Sequence, residues 1–271
     1  MSPSLVSSYV DAHCHLADPR FDGIDDVMER SLKAGVSRWI QGGVDPQDWD
    51  RQLELRRRFG GGVLPVFGLH PWWVIEHFLD IEIETAFERL ESQLHLAVAL
   101  GELGLDFGPR SKGPEDRERQ TQVFREQLKL ADRFSKPIVL HIVRAHEEAI
   151  KVLQEHRVGP GVGSNRGIVH SFSGDESAAA AYVQLGLGLS ISGAVTKKGY
   201  TALKKAVKTI PGECLVIETD APDQAPEASK LNEPSSLIRV AQAVGAIRDE
   251  SAETILKRST ENLERIFKLT P

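Results

Sequence analysis

Short aliphatic runs recur along this chain, separated by longer stretches in which apolar residues fall at three- and four-residue steps. The first pattern suits buried strands and the second suits amphipathic helices. Strands are predicted near 8–13, 36–42, 62–69, 97–102, 137–142, 166–171, 187–192 and 214–219. Helices are predicted near 24–34, 46–59, 80–94, 115–135, 144–157, 175–186, 198–208 and 233–247, with one more near 251–267. In the stretch after Glu115, for example, Val123, Phe124, Gln127, Leu128, Ala131 and Phe134 make one stripe among charges, which should pack against a sheet. Strand and helix alternate throughout, as βαβ units with a parallel sheet require. The fold class expected is therefore α/β, a (β/α)8 TIM barrel with an additional C-terminal helix.

No Gly/Pro/Ser-rich linker or shift in composition interrupts the alternation, so residues 1–271 are read as one domain. The length is near the ~250 residues typical of such a barrel. Two glycine-containing stretches, Phe59-Gly60-Gly61-Gly62 and Gly159-Pro160-Gly161-Val162-Gly163-Ser164, follow helices and precede strands, the place of αβ turns. Neither has the Gly-Lys-Ser/Thr ending of a phosphate-cradling loop.

Several aliphatic runs end in a residue that binds metal. Val98 to Gly101 leads into Glu102, Ile138 to Leu140 into His141, Gly167 to Val169 into His170, and Leu215 to Thr219 into Asp220. Tyr9-Val10 leads into Asp11-Ala12-His13-Cys14-His15. In a parallel barrel all strand C-termini open on one face, so these side chains would converge.

Composition narrows the chemistry. Apolar residues at 41% and charged residues at 27% fit an ordinary globular protein, and no apolar stretch approaches the ~20 residues of a membrane helix. The first eight residues have neither a basic segment nor a long apolar one, so a cytoplasmic location is expected. Only Cys14 and Cys214 are present, without any Cys-x-x-Cys, which leaves histidine and carboxylate as metal ligands. The net charge of −6 argues against a protein that coats nucleic acid, but not against a nuclease that neutralises a few phosphates locally. Arg110, Lys112, Lys197 and Lys198 are candidates for that task, or ordinary solvated charges.

His13 and His15 lie two apart on a strand and so share a face, with Cys14 on the other. Glu102 sits between glycines at the end of a buried strand, where a carboxylate is costly unless paired or metal-bound. Its two oxygens can bridge two cations, and it is the expected shared ligand. His141 and His170 add two imidazoles, and Asp220 could both ligate a metal and accept a proton from water. Glu102 and Asp220 are thus the catalytic candidates. His70 ends the third strand, where a contact to substrate phosphate or a supporting role fits. Arg144 could clamp an anionic group, or form a surface salt bridge. His77, His95, His146 and His156 show no partner pattern and are read as surface residues.

Taken in order, Asp11-Ala12-His13-Cys14-His15-Leu16, Gly68-Leu69-His70-Pro71, Gly101-Glu102-Leu103-Gly104-Leu105-Asp106, Pro137-Ile138-Val139-Leu140-His141, His170-Ser171-Phe172-Ser173-Gly174 and Glu218-Thr219-Asp220-Ala221-Pro222 closely resemble the TatD family of metal-dependent deoxyribonucleases, in the amidohydrolase superfamily. Asn232-Glu233-Pro234, Thr260 to Leu263 and Ile266-Phe267 match its C-terminal pattern. The resemblance implies a TIM barrel with two divalent ions. One is held by His13, His15, Glu102 and Asp220, and the other by Glu102, His141 and His170. It also implies DNA as substrate, with 3′-5′ exonuclease action on single strands. A deacylase of aminoacyl-tRNA, or another ester or amide hydrolase, is the competing reading of such a centre, and a barrel that binds without catalysis is a third. Zn, Mn, Fe and Mg all suit the ligand set. One departure is Leu231, with Lys230 before it, where family members often carry a basic residue. No membrane association is expected, and no protein partner is inferable.

Overall fold

Among the described residues all strand pairings are parallel, and the chain order of strands is also their order in space. The computed structural model describes residues 8–77, 79–156, 166–227 and 232–270. β1 (Tyr9–Cys14), β2 (Val36–Gln41) and β3 (Val63–Leu64) form one ladder. β4 (Val66–Phe67), β5 (Ala99–Asp106), β6 (Ile138–Val143), β7 (Gly167–Val169), β8 (Gly188–Ile191) and β9 (Leu215–Ile217) form the other. The break between them is Pro65. Proline has no N–H for a ladder, so the single strand expected over 62–69 is split into β3 and β4. The Pro65 carbonyl still accepts from the Val98 N–H at 2.8 Å. Counted as one interrupted strand, β3 and β4 restore the eight of a TIM barrel.

The barrel closes between its first and last strands. The Asp220 N–H donates to the His13 carbonyl at 2.9 Å, and the His15 N–H to the Ala221 carbonyl at 2.7 Å. Asp11 reinforces this seam, its carboxylate accepting the Thr219 N–H at 2.9 Å and the Thr219 hydroxyl at 2.5 Å.

Helices α1 (Ile24–Lys33), α2 (Pro46–Phe59), α3 (Pro71–Glu76), α4 (Asp80–Gln93), α5 (Pro114–Arg133), α6 (His146–Glu155), α7 (Glu176–Gln184), α8 (Thr201–Thr209), α9 (Leu237–Arg248) and α10 (Ala252–Phe267) fill the connections. Helix α5 shows why: Pro114 starts it, Glu115 and Asp116 sit in its first turn and Arg133 in its last, as the helix dipole favours. Its buried face holds Val123, Phe124, Gln127, Leu128 and Ala131 of the expected stripe, with Gln120 and Leu130 added, while Phe134 sits half-buried just past its end. The short helix α3, just after His70, was not expected. Nor does one helix run from 233, because Pro234–Ser236 forms a separate 3-10 turn ahead of α9. The glycines after α2 make a 3-10 turn that feeds β3, with Gly60 in the left-handed region at φ 83°. The second glycine-containing stretch and the Lys230-Leu231 pair lie outside the described residues. Among the described residues no helix is long and apolar enough to cross a membrane.

Two apolar layers result. The larger lies between strands and helices, where Trp39, Leu100, Leu140 and Leu189 meet Trp49, Leu90, Phe124 and Val240. The smaller is the barrel interior: Val10, Ala12, Ile40, Leu64, Val66, Ala99, Val139, Ile168 and Val216 pack with Leu263, Ile266 and Phe267 of α10. Helix α10 thereby plugs the N-terminal end. It is fastened by polar contacts, since Thr260 accepts the Val10 N–H, Ser259 accepts the Ile217 N–H, and the Asn262 amide donates to the Gly212 and Leu215 carbonyls.

A candidate metal centre at the C-terminal mouth

Two irregularities in the strands aim the polar side chains. Along β1, Asp11 pairs with Trp39 but Cys14 with Gln41, so three steps on one strand match two on the other. The bulge breaks the alternation that points Val10 and Ala12 into the apolar interior. Beyond it His13 and His15 turn into the mouth together, while Cys14 joins the outer layer. Along β5, Gly101 pairs with Val139 and Leu103 with Leu140, which makes Glu102 the extra residue. The turn at Glu102 needs close backbone approach. A Cβ on Gly101 would stand 2.6 Å from the Val139 Cβ, and one on Gly43 would stand 2.0 Å from the Gly101 carbonyl oxygen. This crowding brings the Glu102 N–H to the Gly43 carbonyl at 2.7 Å.

The six residues expected as ligands meet in one buried place. Glu102, only 1% exposed, lies between two sets of partners. Its Oε1 is 3.4 Å from His15 Nε2 and 3.6 Å from His13 Nε2. Its Oε2 is 2.8 Å from His170 Nε2 and 3.2 Å from His141 Nδ1. Asp220 belongs to the first set, with Oδ1 3.6 Å from His15 Nε2 and 3.8 Å from His13 Nε2. It reaches there from a left-handed turn, φ 55°, that an aspartate tolerates better than most residues.

Two carboxylates that the sequence reading left without a role stand behind the histidines. Asp106 Oδ2 accepts from His141 Nε2 at 3.2 Å and from the Trp72 indole N–H at 2.7 Å. A neutral imidazole that donates at Nε2 presents its lone pair at Nδ1, toward Glu102 and toward His170 at 2.9 Å. Glu218, fully buried, places Oε1 3.6 Å from His170 Nδ1 and accepts the Ser171 N–H at 2.6 Å. Both were visible as acidic residues in otherwise apolar strand ends, four after Glu102 and two before Asp220.

Electrostatically the pocket asks for positive charge. Burial alone would raise the Glu102 carboxyl, but the charges of His170 and His13, with the close approach of His13 and His141, hold it well below the ordinary range. Burial lowers His13, reinforced by His170. His15 is pushed up to about 9, since the Asp220 and Glu102 carboxylates outweigh the desolvation that opposes protonation.

His70 adds a donor to the rim. Its Nδ1 accepts the Trp72 N–H at 3.0 Å, which leaves the proton on Nε2, 3.8 Å from Glu102 Oε2. His70 is near enough to join a cluster with Glu102 and His141, yet this tautomer makes it a donor toward the centre and not a lone pair. Arg144 follows β6 in a left-handed turn, φ 52°, and stays exposed. Arg110 lies over the Trp72 ring, Lys112 and Lys198 are exposed, and Lys197 is half-buried. His146 is not a surface residue as expected: it is half-buried against Phe172 and contacts the Tyr182 hydroxyl at 3.1 Å. Of the other three, His95 is exposed as expected, whereas His77 and His156 are half-buried; they contact Ser92, Trp73 and Asp132 respectively.

The residues present fit a cation. Glu102 Oε1 is buried without a hydrogen-bond partner, and the nitrogens of His13 and His15 are 3.2 Å apart. Two imidazoles bound to one ion at ~2.0–2.1 Å with tetrahedral angles hold their nitrogens about 3.3 Å apart. His13, His15 and Asp220, and His13, Glu102 and His170, each bring ligand atoms within 4.8 Å of one another.

The pattern of the TatD related DNase family matches residues 10–268. The chain belongs to the TatD family. It is 31% identical to deoxyribonuclease TATDN3 of Homo sapiens, over 95% of this chain and 94% of that one. The crystal structure of the TatD homologue YjjV of Escherichia coli K12 superposes with a TM-score of 0.86 at 30% identity, covering 98% of this chain and all of the other. That E. coli protein is described as an uncharacterized metal-dependent hydrolase. A third relative, 30% identical over 90% of this chain and 93% of its own length, is the 3′-5′ ssDNA/RNA exonuclease TatD of Erwinia amylovora. This TatD-family member is thus a metal-dependent hydrolase on an α/β TIM barrel.

Proposed function

We propose that the protein is a deoxyribonuclease, one catalytic domain that hydrolyses phosphodiester bonds of single-stranded DNA from the 3′ end at a centre of two divalent cations. The observation that carries this reading is the division of Glu102. One oxygen faces His13 and His15, the other His141 and His170, so a single carboxylate serves two ligand sets. His13, His15, Glu102 and Asp220 would hold one ion, and Glu102, His141 and His170 the other. Mixed imidazole and carboxylate donors suit Zn or Mn, and Mg where waters complete the shell. Two such ions would supply Lewis-acid activation of water and stabilisation of charge on the phosphoryl oxygens.

The chain's own groups supply the rest. Burial would raise the Asp220 carboxyl, but the approach of His15 and the charges of His170 and His13 hold it lowered, so it is ionised at neutral pH and can take the proton of the attacking water. His70 Nε2–H donates to a phosphoryl oxygen, and Arg144 engages the anionic chain further out on the mouth. Asp106 keeps His141 in the tautomer that faces the centre. The names of the human and Erwinia relatives support DNA as the substrate class.

A panel of metal-loaded assays tests the reading. Single-stranded DNA labelled at either end, aminoacyl-tRNA and small esters are offered to the wild type and to Asp220→Asn. Expected is shortening of the DNA from its 3′ end, slowed at least a hundredfold by the substitution, a typical scale for a general base. Faster turnover of the acylated tRNA or the esters than of DNA would replace this proposal with an acyl hydrolase.

A further inference from the structure

We infer that Trp72 and Arg110 form a stacking platform for the nucleobase beside the cleaved bond, an inference that rests on the nuclease reading. Trp72 lies two residues past His70, and its ring centre is 4.8 Å from that of His70 and 6.0 Å from that of His141. Its indole N–H donates to Asp106 at 2.7 Å, the same oxygen that takes the His141 Nε2–H. A half-buried aromatic plane on α3 is thereby fixed at the edge of the centre, against the end of the strand that carries Glu102. Over it lies the Arg110 guanidinium, 4.0 Å from the ring centre.

Arg110 comes from the loop after β5, and more than half of its side chain (55%) is open to solvent. Its ion pair to the similarly exposed Glu76, at 3.3 Å, is of a kind worth little in water. The guanidinium is a flat cation seated on an indole and open to solvent over half its side chain, a group that can take another flat one. Single-stranded nucleic acid offers such groups one per nucleotide, and aromatic and arginine planes receive them without reading sequence. The base stacks on the outer face of Arg110 and extends the Trp72–Arg110 pair, while its phosphate enters the mouth toward Glu102 and Asp220. The platform therefore senses that a base is present and is indifferent to which one.

Two single-stranded oligonucleotides that differ only in an abasic residue beside the cleaved bond give the test. On metal-loaded wild type the intact strand should have a kcat/KM about thirtyfold higher, the middle of the range for one base–aromatic stack. A phosphorothioate analogue that resists cleavage should bind tighter by the same factor in fluorescence anisotropy. In Trp72→Leu and in Arg110→Ala both preferences should fall to within about twofold, whereas Trp72→Phe keeps part of them. If Trp72→Leu fails to fold by circular dichroism, the exposed Arg110→Ala decides alone. Equal handling of the two strands by wild type, or a preference that survives in Arg110→Ala, overturns the platform and leaves the nuclease reading standing. Cleavage of neither strand by wild type overturns that reading, and the platform with it.

Discussion

The two ends of this barrel are built from the same strands and obey opposite rules. At the N-terminal end, aliphatic side chains of the strands fill the interior and α10 seals it with Leu263, Ile266 and Phe267. At the C-terminal end, histidines and carboxylates of the same strands occupy a buried space that an apolar core would normally fill. The change takes about one turn of the pleat. On β1 it falls between Ala12 and His13, on β5 between Ala99 and Glu102, and on each strand a bulge marks it. The comparison separates two kinds of burial. The lower end lowers the free energy of folding by removing apolar surface from water. The upper end spends some of it to take carboxylates and imidazoles out of water, where a cation would join them.

Damage to either end should then read out differently. The largest effect on stability belongs below: Leu263→Ala empties a fully buried position and should cost about 2–5 kcal/mol, seen as a lowered midpoint in urea or heat. Metal affinity of the folded protein should hardly change. Loss of metal affinity in step with stability would show that the two ends are not separable.

Smaller, and confined to the mouth, are the effects expected of Asp106→Asn and Glu218→Gln. Each removes the charge behind a histidine while keeping its shape, and should weaken metal binding roughly 10- to 100-fold. The metal-free Asp106→Asn protein should also melt lower than wild type, because its histidine and indole partners hold the Asp106 carboxyl below its ordinary range, and in both variants metal should raise the melting temperature less. Binding as tight as wild type in both variants would remove Asp106 and Glu218 from the account of the centre.

The lower end and the strand ends were readable from sequence because each follows from local pattern. Aliphatic runs and the α5 stripe are periodic, and His13, Glu102, His141, His170 and Asp220 each terminate a run. What stayed hidden depends on partners distant in sequence. Asp106 gains its meaning from His141, thirty-five residues on, and Glu218 from His170. Asp11, beside the histidine pair, is a seam residue whose partner Thr219 lies 208 positions away. The bulges were equally hidden, since they arise from the register of neighbouring strands and from the space left by Gly43 and Gly101. Pro65 is the opposite case: a local signal inside a predicted strand that did interrupt it.

The central claim is that Glu102 joins two cation sites, and metal content per chain tests it most directly. Elemental analysis should be made on wild type, His13→Ala and Glu102→Ala after identical loading and desalting, with circular dichroism to verify folding. The account predicts two equivalents in wild type, one in His13→Ala with the His141 and His170 side retained, and close to none in Glu102→Ala together with loss of hydrolysis. A folded Glu102→Ala that kept wild-type metal content and rate would contradict it.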